Sequence, residues 1–525
     1  MLSAIDRRPS SKVDFGPNYR DNRVIANIAP TPSFPTFDNS FRAELPELAT
    51  DWHAEAAQHP QVVILNYALA EQLGINPAWL GSSEGAAFLT GNNLPPNAKP
   101  AAMAYAGHQF GHYSARLGDG RALLVGELVP DDGQRLDLHL KGSGRTPFAR
   151  GGDGKAALGP MLREYLMAEA MNSVGIPTSR ALAVTSTGNL VIRDGSNTGA
   201  VLARVASSHI RVGTFQYAAA LDAHKPGSDL LKRLADYSIG RHYPHLTDTD
   251  KPYVSLLDEV IDSQARLVAQ WMLVGFIHGV MNTDNMTICA ETIDYGPCAF
   301  MDSFNPSAVF SSIDTGGRYA YDQQPGIAQW NLARLAEALL PLIDSDQQTA
   351  IDTAVSRLER FADQYRSYWV NNMRDKLGLS EALPSKVGPL ADDLLSTMQH
   401  ASADFTLTFR ALSASLNGNT EPLRSLFPTA DDIEPWLQRW HLLLDVENRQ
   451  TDTVAESMDR VNPLYIPRNH LVEEALVAAE QGDLDPVREL DDVLRSPYEE
   501  RKGIERYTSP APPSFTDKYQ TFCGT

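Results

Sequence analysis

A chain of 525 residues, 43% of them hydrophobic, is long enough for about three domain-sized units and can fill a sizeable core. Its formal charge of −20 argues against a nucleic-acid partner, whose phosphates need clustered Lys and Arg, but leaves room for a locally cationic nucleotide pocket. Three cysteines are too few for a disulfide framework and are not spaced as zinc ligands, and no apolar run reaches the roughly 20 residues that a bilayer demands.

Met1 to Lys12 mixes charges without an apolar centre, so no secretory signal is read there and a cytoplasmic protein with no membrane partner is expected. The Pro-rich start, to about residue 40, reads as a tail. Phe41 to Leu80 reads as helical with Pro-punctuated gaps, and Asn92 to Pro100 as a linker. From Ala115 the pattern turns β-like. Leu117-Gly-Asp-Gly-Arg-Ala-Leu-Leu-Val125 is a turn feeding a strand. Leu136, Leu138 and Leu140 alternate with Asp137, His139 and Lys141, which predicts a strand burying one face and offering the other. Leu158 to Val174 has Leu158, Leu162, Tyr165 and Leu166 at helical spacing, Pro160 in its first turn and Gly175-Ile-Pro177 as its stop.

Two hairpin strands over Ala181 to Val191, about a Thr187-Gly188 turn, and a strand from Ala200 to Ala206 complete this β-rich part. Beyond Phe215 helices dominate. One runs from Tyr253 to His278 with Leu257, Val260/Ile261, Leu267/Val268 and Trp271/Met272 on one stripe; residues 326–345 and most of 346–490 follow. Thr508 to Thr525 reads as a tail, docked or mobile. A β-rich part with one helix, then a helical part, is the layout of an α+β, protein-kinase-like two-lobed fold with extensions at both ends.

Chemistry concentrates in His278-Gly-Val-Met-Asn-Thr-Asp284-Asn285 and the following Asp294-Tyr-Gly296. A kinase catalytic loop runs H-R-D-x-x-x-x-N with D-F-G downstream. Counted from His278, its Asn falls on Asn285 and its D-F-G Asp on Asp294, while the catalytic Asp position holds Val280. Asn285 and Asp294 are hard oxygen ligands suited to Mg²⁺ or Mn²⁺ bridging phosphates. Asp284 is either a general base replacing the missing one or a loop carboxylate capping the turn. Lys141 at a strand end and Glu164 on the next helix match the Lys–Glu pair of a kinase small lobe; taken singly they would be a surface Lys and a solvated Glu. Arg121, Arg204 and Arg211 offer planar forks for phosphate. Gly151-Gly-Asp-Gly-Lys155, with Asp153 and Gly154, looks like a phosphate loop but fails the P-loop pattern at Ala149 and Ala156. His108 and His112 are spaced for a metal on a helix, but Gly107 and Gly111 favour structural histidines.

Taken together, these segments resemble the selenoprotein O (SelO/YdiU) family of protein adenylyltransferases. The similarity rests on Phe37-Asp-Asn-Ser-Phe41, Tyr105-Ala-Gly-His-Gln-Phe-Gly-His112, Leu117 to Arg121, Leu140 to Arg150, Arg163-Glu-Tyr-Leu166, Arg204 to Arg211, His278 to Asn285, Asp294-Tyr-Gly-Pro297 and Thr521-Phe-Cys-Gly-Thr525. The resemblance implies a kinase-like fold that binds ATP, or UTP, in inverted orientation and transfers AMP or UMP to Ser, Thr or Tyr hydroxyls of proteins. It implies nucleotide contacts from Gly118, Gly120, Arg121, Lys141, Asp153, Gly154, Arg204 and Arg211, metal on Asn285 and Asp294, and a proton acceptor in Asp284. Cys523 stands where eukaryotic members carry selenocysteine and is a candidate redox thiol. The domain division expected is an extension at 1–100, a β-rich lobe at 101–215, a helical lobe with the metal site at 216–345 and a helical region with the tail at 346–525. An orthodox γ-phosphate kinase and a non-catalytic nucleotide-binding scaffold are the rival readings.

Overall fold

The computed structural model describes residues 34–522 apart from Asp194, Pro226 and Pro428. The tail read at the start of the chain lies outside the described residues up to residue 33, and so does Cys523. The protein is mixed α/β, with one large antiparallel sheet and many helices. Among the described residues the sheet has nine strands. Seven form its path: β1 (Ala49–Asp51), β2 (Gln61–Leu65), β3 (Ala101–Met103), β4 (Ala122–Leu128), β5 (Leu136–Lys141), β6 (Arg180–Arg193) and β7 (Gly195–Ala206), in the spatial order β1-β3-β4-β5-β7-β6-β2.

The helical expectation for Phe41 to Leu80 is corrected. Only Ser40–Glu44, Tyr67–Gln72 and Pro77–Leu80 are α-helical, and β1 and β2 intervene. Pro46, Pro60 and Pro77 cut the segment, and Val62-Val-Ile-Leu65 is a β-branched run better suited to a pleated sheet. The Thr187-Gly188 turn is corrected too: β6 runs through it with a register irregularity between Ser186 and Leu190, and the hairpin closes where Arg193 pairs with Gly195. In β5 the polar face is not offered to solvent. Asp137 and His139 are buried as fully as Leu138 and Leu140, and Lys141 is buried too, because charged partners from distant segments cover them.

The expected helix after β5 is α1 (Leu158–Ser173). It is buried nearly all round, as a helix must be when it has neighbours on every side. On one side it packs on β6 and β7, on the other on two C-terminal helices, Asn469–Glu480 and Asp485–Leu494. The stripe predicted for residues 253–278 forms a helix at Pro252–Leu273 with those apolar residues buried. It ends before His278, because Gly275 turns left-handed at φ +70° and Phe276–Ile277 pairs as a short strand with Ala299–Phe300. Further helices, from Gln324–Ile343 through Asp485–Leu494, fill most of the remaining chain. The described part of the C-terminal tail is docked: Thr521 donates its amide to Phe310 and its hydroxyl to the Pro297 carbonyl at 2.6 Å. No described helix is long and apolar enough to cross a membrane.

Candidate active site

The short ribbon Phe276–Ile277/Ala299–Phe300 clasps the base of a loop, residues 278–298, that carries Asp284, Asn285 and Asp294. His278 is an internal strut of this loop. Its Nε2 donates to the Ile293 carbonyl at 2.9 Å, and its amide donates to Gln324. Asp294 follows directly and adopts φ +62°, a left-handed conformation uncommon for a residue with a side chain.

Three cations converge on that one carboxylate. Lys141 Nζ donates to Asp294 Oδ1 and to Glu164 Oε1, each at 2.6 Å. Arg204 Nη1 donates to the same Oδ1 at 2.8 Å, and Arg211 Nη2 stands 3.8 Å from Oδ2. Burial would raise the Asp294 pKa, but Lys141, Arg204 and Arg211 hold it well below the usual carboxylate range. Strand register explains the convergence. Lys141 ends β5 opposite Leu202 of β7, Arg204 lies one pleat further along β7, and α1 crosses behind with Glu164. Arg211 is fully buried, with its guanidinium 4.3 Å over the Tyr105 ring.

These groups line a cavity of about 420 Å³ together with Gly118, Gly120, Arg121, Asp153, Gly154, Asp284 and Asn285. Every nucleotide and metal candidate from the sequence therefore faces one space, and Glu164 stands behind Lys141. Gly118 has φ +72°, and a Cβ there would sit 2.3 Å from the Phe148 ring, so only glycine fits this turn. Asp153 is bound at 2.9 Å by Arg193, which also borders the cavity.

Asp284 is 8% exposed. Its Oδ2 accepts from Gln109 Nε2 at 3.4 Å, and its Oδ1 has no hydrogen-bond partner among the described residues. Burial pushes its pKa up to about 6, against the lowering effects of its own amide, Gln109 and Arg211. Asn285 gives its Nδ2 to the Val280 carbonyl at 3.0 Å, which leaves Oδ1 as its atom for a ligand. His108 and His112 lie on a hairpin, Gly107–Gln109 with His112–Ser114, and not on a helix; His108 Nδ1 accepts from Gln216. That hairpin braces the loop, since the His108 amide donates to Thr283 Oγ1 at 2.7 Å and the Phe110 amide to Asn282. Cys289 and Cys298 are free, and burial pushes both thiols up to about 12.

Sequence reasoning missed Tyr105, Asp119, Gln109 and His139. Asp119, between Gly118 and Gly120, accepts from the Met103 amide and stands 3.0 Å from His139 Nε2. The available signal was the polar face of β5, which is affordable inside a protein only when partners satisfy it.

A buried cluster of cations around one carboxylate opens on a cavity with a further buried carboxylate, a space whose charge suits a polyanion. The family model described as protein adenylyltransferase SelO matches residues 35–495, and the chain belongs to that family and is an enzyme of the nucleotide-transferring class. It is 55% identical over 490 residues to a protein nucleotidyltransferase YdiU of Pseudarthrobacter chlorophenolicus, covering 92% of this chain and 97% of the relative. It is 53% identical over 504 residues to the protein of that name from Mycolicibacterium paratuberculosis, covering 95% and 100%. It is likewise 53% identical over 490 residues to one from Cereibacter sphaeroides, covering 93% and 99%.

Proposed function

We propose that the protein transfers AMP from ATP, or UMP from UTP, to Ser, Thr or Tyr hydroxyls of other proteins. In this reading the fold is protein-kinase-like, with 101–215 as the β-rich lobe and 216–345 as the helical lobe, and the nucleotide lies inverted between them. The carrying observation is the convergence of Lys141, Arg204 and Arg211 inside one cavity. A kinase needs one such Lys and an apolar slot for adenine; two additional buried guanidiniums suit phosphates in that slot instead. Glu164, Asp294 and Asp119 offset the cost of burying these cations, and all three cations also line the cavity, where phosphate oxygens can meet them.

Asn285 Oδ1 and Asp294 Oδ2 are the donors that would hold Mg²⁺ or Mn²⁺, and a hard oxygen pair that leaves the rest of the shell to phosphate and water fits such an ion. When bound, the ion would neutralise phosphate oxygens and polarise the α-phosphorus. The acceptor oxygen attacks the α-phosphorus, the bond to the bridging oxygen breaks and pyrophosphate leaves. Asp284, whose buried Oδ1 lacks a donor among the described residues, takes the hydroxyl proton. Lys141, Arg204 and Arg211 stabilise the charge that develops on the phosphates.

The test is incubation of the full chain and candidate acceptor proteins with ATP or UTP labelled at the α or the γ phosphorus, with Mg²⁺ or Mn²⁺. Label from the α position on protein, with release of pyrophosphate, is the expected result. Label from γ instead would make the protein an orthodox kinase, and no label a binding scaffold.

A further inference from the structure

Arg204 and Arg211 do not aim themselves. Arg204 lies directly opposite His139 across the β5–β7 pair and donates its Nε to His139 Nδ1 at 3.2 Å. That bond fixes the tautomer, because an Nδ1 that accepts leaves the proton on Nε2, which faces Asp119 Oδ2 at 3.0 Å. The other oxygen of Asp119 stands 3.8 Å from Arg211 Nη1. Asp119 is itself fixed, since Oδ2 also accepts from the Met103 amide at 3.1 Å and its carbonyl from Thr146 Oγ1 at 2.6 Å. His139 is fully buried and stacks on His209 with ring centroids 4.2 Å apart. Burial holds its pKa below the ordinary value.

We propose that His139, acting with Asp119, is the positioning residue that sets where Arg204 and Arg211 present their guanidinium groups to the phosphates of the nucleotide. This rests on the phosphate-binding role of the two arginines argued above. One carboxylate in the Gly118–Gly120 turn and one imidazole on β5 thereby register the turn, the sheet and both guanidiniums to each other. Neither His139 nor Asp119 touches the reacting atoms in this scheme; both act through the arginines.

A double-mutant cycle on the full chain tests it, with Mg²⁺·ATP and AMP binding measured by calorimetry. His139→Leu should weaken ATP about 10-fold, the scale of one hydrogen bond to a charged group, and leave AMP within about 2-fold. Arg204→Gln should do the same, and the double variant should be no weaker than Arg204→Gln alone within about 2-fold. His139→Asn, which returns a carbonyl oxygen near the Nδ1 position, should recover most of the ATP affinity. Unchanged ATP affinity in His139→Leu, equal losses of ATP and AMP, or fully multiplicative losses in the double variant would each overturn the assignment. If His139→Leu does not fold, the cycle of Asp119→Asn with Arg211→Gln decides it by the same criteria. A wild-type chain that binds ATP but transfers no α label removes the proposed reaction and leaves the cycle intact; one that binds no ATP overturns both.

Discussion

Asp294 serves two masters at the residue scale. It pairs with Lys141, Arg204 and Arg211 beside Glu164 and Asp119, and its second oxygen is a metal ligand in the proposed reaction. Its left-handed backbone is held by the loop around it and by those ion pairs. Asp294→Ala is expected to abolish metal-dependent transfer, since it removes a charge-organising group in a buried site; such groups are worth about 2.7–4 kcal/mol in the transition state, or roughly 10²–10³ in rate. Near-wild-type turnover at saturating Mg²⁺ or Mn²⁺ would rule it out as a ligand. Asp284 behaves differently. Its Oδ1 has no hydrogen-bond partner among the described residues, so Asp284→Asn should leave ATP affinity within about 3-fold while kcat falls by about 10²–10⁴, the range of a lost general base. Equal losses in binding and turnover would make it a structural residue of the turn.

At the element scale, the helix Ser40–Glu44 is fastened to β4 by Glu127, whose two oxygens accept the Ser40 and Phe41 amides at 2.8 and 2.9 Å. Burial, and behind it the Asp137 carboxylate, push Glu127 from 4.5 up to about 7. The folded state therefore holds this proton more tightly than the unfolded chain. The linked stability is full below about pH 4.5 and is lost as pH rises through about 7. The thermal midpoint of the wild type should fall relative to Glu127→Gln across that window and run parallel to it outside; parallel curves throughout would show that Glu127 is not proton-linked. The same region shows what a sequence can carry. The limits of α1 and the strand at β5 were legible because each is written locally, in periodicity and spacing, while the Lys141–Glu164 pair, 23 residues apart, was legible only through its match to a kinase small-lobe pattern. Thr187-Gly188 misled because turn chemistry also serves a strand irregularity. The polar face of β5 was misread because its partners, Arg241 for Asp137 and Arg204 for His139, lie 104 and 65 residues away, and no local pattern records them.

Over the whole molecule, the C-terminal region is part of the body that holds the site and not an appendage to it. The helices Asn469–Glu480 and Asp485–Leu494 complete the burial of α1, the helix that presents Glu164 to Lys141. Arg495 donates to the Tyr165 hydroxyl on that helix, and Arg163 bridges from it to the Cys298 carbonyl and to Glu473. A further fastening is Arg468, fully buried, which donates to Asp302 Oδ1 and Asp404 Oδ2 at 2.6 Å each and to the Thr508 carbonyl. Asp302 lies just beyond the ribbon that clasps the 278–298 loop, so this ion triad ties the loop's far end to the C-terminal helices. Arg468→Leu keeps much of the volume but strands two buried carboxylates, which costs about 3–5 kcal/mol when one partner of a buried pair is removed. Urea unfolding followed by tryptophan fluorescence should show that loss as a lower midpoint. If the triad also sets the loop, ATP affinity should fall at temperatures where the variant is still folded. A variant as stable as the wild type would show that Arg468 fills space without binding the two regions together.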